Sequence, residues 1–374
     1  MSLDDELSDL LVISLEQAVA APYCGLLLAS AGARVIKIER PEGDFARFYD
    51  SGVNGNSAIF AWLNRGKESI SLNLKNNDDK NLLKKMINKA DVFISNLTPG
   101  SLEKLDLDYA KVNTTNERLI FCEINGYGNS ENAKSKKAYD FLIQAESGLC
   151  SVTGTESNPS KVGISITDLS TGLTAYSAIL RGVIQRNKTN RGMLISISMF
   201  DVMADWMNMP LLAHRYMGGA PKRNGMKHTF IAPYGTFKCK NNDEILISIQ
   251  NNREFEKFCK NILKKESLHK NPKFKNNPER YKNRVELDEI ITKCFSKYSK
   301  DEIQKKLDRE GIANALLNDI ADLSNHQFLK NENAIINNER ISIAALPIKT
   351  SNKFQIKVPS INENGKKLRS EFNK

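Results

Sequence analysis

Two carboxylates stand out as able to do chemistry: Asp140 in AYDFLIQAESG and Asp168 in GISITDLSTG. Asp168 lies between a strand-like run and a helical stretch, among small residues. An aspartate so placed serves one of two ends. It caps the helix, its oxygen accepting from the first free amides. Alternatively, those amides and the helix dipole hold it ionised, and it attacks an activated acyl carbon as a nucleophile.

Other chemistries find little footing. The histidines, His214, His228, His269 and His326, are scattered and receive no role. No Walker motif, GxSxG elbow or HExxH occurs. The cysteines at 24, 122, 150, 239, 259 and 294 form no CxxC pair and show no zinc spacing. They read as reduced thiols of a cytoplasmic protein, and no metal site is expected. The stretch from Leu10 to Arg40 has the outline of a dinucleotide fold's opening strand, helix and strand, and Glu39 ends the second strand. Its first turn reads SLEQAVAAP, however. Without the glycines of GxGxxG a pyrophosphate cannot approach the backbone there. No nicotinamide or flavin is expected, although the fold survives without one.

The elements that must position these residues alternate. Leu10–Leu15, Arg34–Ile38, Ile70–Leu74, Val92–Ile94 and Leu119–Ile124 read as strands. Pro22–Ala31, opened by its proline, and Asp78–Lys89, acidic in its first turn, read as helices. Strand, helix and strand in repetition imply a mostly parallel, doubly wound α/β sheet. A long helix is expected from Leu169 to Arg186, then a strand at Ile195–Met199 and a helix to about Tyr216. GGAPKRNG (218–225) is linker-like. Beyond it, Thr236–Cys239 and Glu244–Ile249 suggest a hairpin around Asn241–Asn242, with polar helices up to Leu316.

Composition sets the bounds. A length of 374 residues, 40% hydrophobic and 26% charged, suits a globular chain of two domains. No window approaches a membrane span, and MSLDDELSDL lacks the basic start and apolar run of a secretory signal. The net charge is +10, and between Lys260 and Arg284 nine Lys/Arg face two Glu. A solvated basic face is the first reading of that stretch and a polyphosphate ligand the second. Nucleic acid comes third, because no DNA-binding motif accompanies the charge.

VISLEQAVAAPYCGLLLASAGARVIKIERPEGDFAR resembles the N-terminal signature of the family III CoA-transferases (the CaiB/BaiF group), which include formyl-CoA and carnitine CoA-transferases. The likeness continues in order through NRGKESISLNLK, DVFISNLTPGSLEKLDLDY, YDFLIQAESGLCSVTG, GISITDLSTGLTAYSAILRGVIQRNKTNRG and HTFIAPYGTFKC to the tail VPSINENGKKLRSEF. It implies a large Rossmann-like domain (1–215 with 335–374), a smaller α+β domain (216–334), and an interlocked homodimer. It puts the family's nucleophile on Asp168. Its CoA-binding positions fall on Val19, Ala20, Arg40, Leu72, Asn73, Leu74, Lys75, Asn96, Leu97, Thr98, Lys104, Lys137, Ala138 and Tyr139. Lys104 stands where formyl-CoA transferases carry arginine, and Leu97 where the family has phenylalanine. Asp140 is then a supporting acid. CoA enters as part of the substrate, and no permanently bound cofactor is implied. Gly218–Gly219 is the local candidate for a loop covering the intermediate.

The same fold includes α-methylacyl-CoA racemases, which carry a histidine before the acid at the Asp140 position. Tyr139, with an ordinary pKa near 10, is a poor base in its place. A non-catalytic acyl-CoA-binding module is the third reading, and the retained Asp168 speaks against it. From Arg47 onward, ARFYDSGVNGNSAIFAWLNRGKES resembles the branch acting on short dicarboxylic acids. Arg47 or Arg65 could pair a second carboxylate, or either could be a surface or interface arginine. Acyl-CoA, a carboxylic acid and a second copy of the chain are the expected partners. Nucleic acid and membrane are not.

Overall fold

The computed structural model describes residue 3, residues 5–348 and residues 356–373. They form two compact units. The first comprises 1–150, 161–212 and 330–374; the second comprises 151–160 and 213–329.

The first unit is built on six parallel strands: β1 (Leu11–Leu15), β2 (Arg34–Glu39), β3 (Glu68–Ser71), β4 (Val92–Ser95), β5 (Ile120–Asn125) and β6 (Met193–Ser198). Their order is β3-β2-β1-β4-β5-β6, so the direction of winding reverses between β1 and β4. Successive strand residues point to opposite faces. Ile13, Ile36 and Phe93 thus join one core with Leu83, Met86 and Phe372. Val12, Val35 and Val92 join the other with Cys24, Leu28 and Ile179. Strands buried on both faces need the near-continuous apolar runs found here.

Two departures from expectation stand out. The helix expected from Pro22 begins at Ala20, with Pro22 still inside its first turn, where a missing N–H costs nothing. The strand expected at Ile70–Leu74 stops at Ser71, whose register with β2 ends on Glu39. The chain then turns, Asn76 N–H donating to the Asn73 carbonyl, into the helix Asn77–Lys89 capped by Asn76. The outer edge of β3 is met by the tail: Asn364 Oδ1 accepts from Ser69 N–H at 2.9 Å and Asn362 Oδ1 from Ser71 N–H at 3.0 Å. The tail's helix, Gly365–Phe372, follows directly.

The second unit carries the antiparallel strands β7 (Tyr234–Lys238), β8 (Glu244–Ser248) and β9 (Ala313–Leu316). The β7–β8 turn holds Asn241 and Asn242 at φ 65° and 63°, a left-handed conformation that asparagine tolerates. The helix before β9 ends at Arg309, so Ala313–Leu316 is strand rather than helix. Phe237, Phe255, Phe258 and Phe295 fill this unit's core. Two cations of the basic stretch turn inward. Arg280 is buried and donates to the carbonyls of Ala232 and Phe274, and Arg284 to those of His228 and Tyr234. A further hairpin, β10 (Asn331–Ile336) with β11 (Glu339–Ala344), belongs to the first unit. No helix among the described residues is long and apolar enough to cross a membrane.

Candidate active site

Asp168 lies in the first turn of the helix Ile166–Thr189, and Asp140 opens the helix Asp140–Glu146. The cap position of the Asp168 helix is Ser165, which makes no side-chain cap bond. The acceptor comes instead from the other helix. Asp140 Oδ1 takes the amides of Thr167 at 2.8 Å and Asp168 at 3.3 Å. The expectation that helix amides hold Asp168 ionised is therefore reversed: they serve Asp140. Burial, and then the charge of Asp140, push the Asp168 carboxyl up to about 7.

Four residues along, Gly172 faces the start of the helix Ala20–Ser30. A Cβ there would meet the Ala20 carbonyl oxygen at 2.5 Å. The glycine lets two helix ends touch and sets Val19 and Ala20 beside the Asp168 turn. The loop between β1 and that helix is held firmly. Gln17 exchanges two hydrogen bonds with the Asn96 amide, at 2.9 and 2.8 Å. Ala18 sits at φ 65°, which is costly for a residue with a Cβ, and its amide donates to Asp44 Oδ1 at 3.1 Å.

A cleft of about 550 Å³ opens at the carboxyl ends of β1 to β4 and is lined by Arg40, Leu72, Asn73, Leu74, Lys75 and Leu97. This is the switch point of the winding, where open α/β sheets bind ligands. A smaller cavity beside it, about 300 Å³, takes Leu97 and Thr98. Neither lining includes Lys104, Lys137, Ala138 or Tyr139. Ala138 packs against Gly126, where a Cβ would come within 2.1 Å of it, and this fixes the segment carrying the exposed Lys137 and Tyr139. The Tyr49 phenol lies within reach of the charges of this segment and of the Asp168 turn. Burial first, then the charges of Asp44, Asp168 and Tyr139, push its phenol up to about 12.

Beneath the cleft lies a buried ionic network. Lys37 Nζ meets Asp44 Oδ2 at 2.8 Å and Glu16 Oε1 at 3.3 Å, and Lys67 Nζ meets Glu16 Oε1 at 2.6 Å. Arg47 bonds both oxygens of Glu39, at 2.6 and 2.8 Å, and stacks on Phe60. Three cations thus match three carboxylates. Burial drives Lys67 down to about 8 despite Glu16, with Lys37 adding to the fall. Burial alone would raise Glu39, yet Arg47, Lys37 and Ser69 bring it to about 2. Arg47 is committed to Glu39 and the Pro359 carbonyl, and the buried Arg65 to the Trp62 carbonyl and Glu332. Within this chain both arginines serve the fold. In the second unit, Gly218 and Gly219 have left-handed φ values of 84° and 138°.

The profile of CoA-transferase family III matches residues 7–364. The chain belongs to this family. An acetyl-CoA:oxalate CoA-transferase of Acetobacter aceti is 31% identical over 97% of this chain and 95% of its own length. A succinyl-CoA:glutarate CoA-transferase of Homo sapiens is 35% identical over 76% of this chain and 65% of its own length. Among solved structures, a CAIB/BAIF family protein from Brucella suis superposes with a TM-score of 0.83 and 30% identity over 99% of both chains. The family III chain is accordingly a CoA-transferase, with acyl-CoA as a substrate.

Sequence reasoning passed over Gln17, Asp44, Tyr49 and Gln144. Of these, Gln144 carried a readable signal. It stands one helical turn after Asp140, the spacing at which side chains meet.

Proposed function

We propose that this CoA-transferase moves CoA from an acyl-CoA donor to a short dicarboxylic acid through a thioester on Asp168. The contact between Gly172 and the Ala20 carbonyl is the observation that carries this reading. It sets the Asp168 turn against the helix start bearing Val19 and Ala20. The adjoining cleft holds Arg40 and Lys75 for CoA phosphates. Lys104 and Lys137 are the further phosphate partners. The larger unit is then the CoA-binding domain.

In the first step an Asp168 oxygen attacks the donor's thioester carbonyl. The C–S bond breaks, and CoA thiolate leaves a mixed anhydride. The thiolate then attacks the aspartyl carbonyl and expels the donor carboxylate, forming aspartyl-CoA thioester. The acceptor carboxylate attacks that carbonyl, a second anhydride forms, and the thiolate takes up the acceptor's acyl group. Asp168 returns as a carboxylate. No proton is gained or lost, and activation is kept in covalent bonds, provided water stays out.

The relatives named for oxalate and glutarate support a dicarboxylate acceptor. With Arg47 and Arg65 engaged internally, the acceptor's second carboxylate takes its partner elsewhere. A homodimer is supported by the apolar residues this unit exposes: Leu173 and Ile184 on the Asp168 helix, Leu194 on β6, Trp206, Met209 and Leu212. A cytoplasmic setting suits the free CoA pool such an enzyme draws on.

Incubation with succinyl-CoA or acetyl-CoA, then hydroxylamine, should convert Asp168 to a hydroxamate seen by peptide mass spectrometry. Added oxalate, glutarate or mesaconate should appear as CoA esters. Deuterium entering the acyl-CoA α-position with Asp168 unmodified would sink the reading.

A further inference from the structure

Gln144 is fully buried, at 0% exposure, and a buried amide is costly unless its bonds are made. Its side chain bonds Asp140, one turn back on its own helix, and the segment leading into the Asp168 helix. Its nitrogen donates to Asp140 Oδ2 at 2.8 Å and, more weakly, to the Ile164 carbonyl at 3.4 Å; its oxygen accepts from Val162 N–H at 2.9 Å. With Oδ2 fixed, Asp140 has only Oδ1 to turn toward the amides of Thr167 and Asp168. Thr167 Oγ1 closes the arrangement by donating to the Asp140 carbonyl at 3.3 Å.

We propose that Gln144 is the positioning residue of the nucleophile: by fixing the Asp140 carboxylate on the Thr167 and Asp168 amides, it keeps Asp168 as a repelled anion that gains from being acylated. The inference rests on Asp168 being the nucleophile. An anion solvated by amides is a weak nucleophile, and one denied them keeps its basicity. Acylation turns Asp168 into a neutral anhydride or thioester. The repulsion from Asp140 then vanishes, which favours the covalent state over the free one. The raised pKa of Asp168 agrees with this geometry.

The surroundings leave Asp140 as the governing charge. The helix Ala20–Ser30 brings only Tyr23 and Cys24 as titratable groups, and the preceding segments bring Tyr49 and Tyr139. Asp201 and Asp205, on the helix Met199–Trp206, are exposed to solvent.

The test is single-turnover labelling of Asp168 by acyl-CoA with hydroxylamine trapping, followed across pH in wild type, Gln144→Leu and Asp140→Asn. In Gln144→Leu the Asp140 carboxylate is released, and Asp168 can recover the amides of its own turn. The pH at which labelling fails should move down by about one unit. The maximal rate should fall about tenfold or more, while acyl-CoA KM stays within about twofold. A glutamine that only supported the fold would lower the thermal midpoint and leave the acid limb in place. A folded Gln144→Leu protein with wild-type limb and rate overturns the proposal. Should that variant fail to fold, Asp140→Asn decides. It keeps the shape and removes the charge, so its acid limb must also move down, and an unmoved limb overturns the idea. Failure to label wild-type Asp168 at all would instead remove the nucleophile reading beneath it.

Discussion

Gly172 and Ala20 touch so closely that no side chain fits between them: a Cβ on Gly172 would lie 2.5 Å from the Ala20 carbonyl oxygen and 3.2 Å from Tyr23. A glycine inside a helix normally costs about 1 kcal/mol relative to alanine. Here that cost is accepted because the obstacle is backbone, which cannot swing away.

Gly172→Ala tests which effect wins. Propensity alone predicts stabilisation. The contact predicts a net loss of about 1–2 kcal/mol in urea unfolding, as for other overpacked sites. The helix must also back away from the Ala20 helix start and carry Asp168 with it, so kcat should fall about tenfold to a hundredfold. A stabilised, fully active variant would show that the two helix ends need not meet.

Lys67→Met probes the network under the cleft. Lys67 and Lys37 share Glu16, and all three side chains are shielded from solvent. Removing one cation strands part of a buried negative charge, at about 3–5 kcal/mol. Adding Glu16→Gln should recover much of that loss, because the stranded charge goes with it. A double-mutant cycle by urea denaturation reads the coupling. Additive single effects would mean the ions are independent.

How legible this was depended on how far away each partner lay. The parallel sheet could be read because apolar runs such as Leu11–Leu15 carry their own cause. Asp168 could be read because its small neighbours and the helix after it are adjacent in sequence. The end of β3 was not legible, since Ser71 is met by Asn362 from 291 residues away. The inward commitment of Arg65 depends on Glu332, 267 residues off. The β10–β11 hairpin was missed, although its turn is the pair Asn337–Asn338, at φ 47° and 69°. Asparagine pairs that take left-handed conformations are a local signal, and the same signal was used at Asn241–Asn242.

Arg40 and Lys137 provide the check on CoA binding. Arg40 lines the cleft, and Lys137 stands exposed on the segment before Asp140. Each substitution to alanine should raise acyl-CoA KM more than it lowers kcat, since phosphates lie far from the reacting carbonyl. Loss of one charged hydrogen bond costs about 1.5–3 kcal/mol, roughly 10–150-fold. Unchanged KM in both variants would mean that CoA is held elsewhere.

Asp168 should also leave a mark on stability that owes nothing to turnover. Its carboxyl ordinarily titrates at 3.8 and is raised in the fold to about 7, by burial first and by Asp140 second. The folded state therefore binds this proton more tightly than the unfolded chain does. At about pH 3 and below the group is mostly neutral in both states and costs almost nothing. As pH climbs from there to about 7, the unfolded chain releases the proton freely while the fold resists, and stability falls. The full gap corresponds to at most about 4 kcal/mol, less whatever solvent screens at the partly exposed side chain. Asp168→Asn is neutral throughout and close in shape. It should match wild type near pH 3 and exceed it by pH 8 in urea unfolding, with the difference opening between those values. A constant difference across that range would show that the carboxylate is no more strained in the fold than in the unfolded chain. The repulsion from Asp140 would then be too weak to favour acylation.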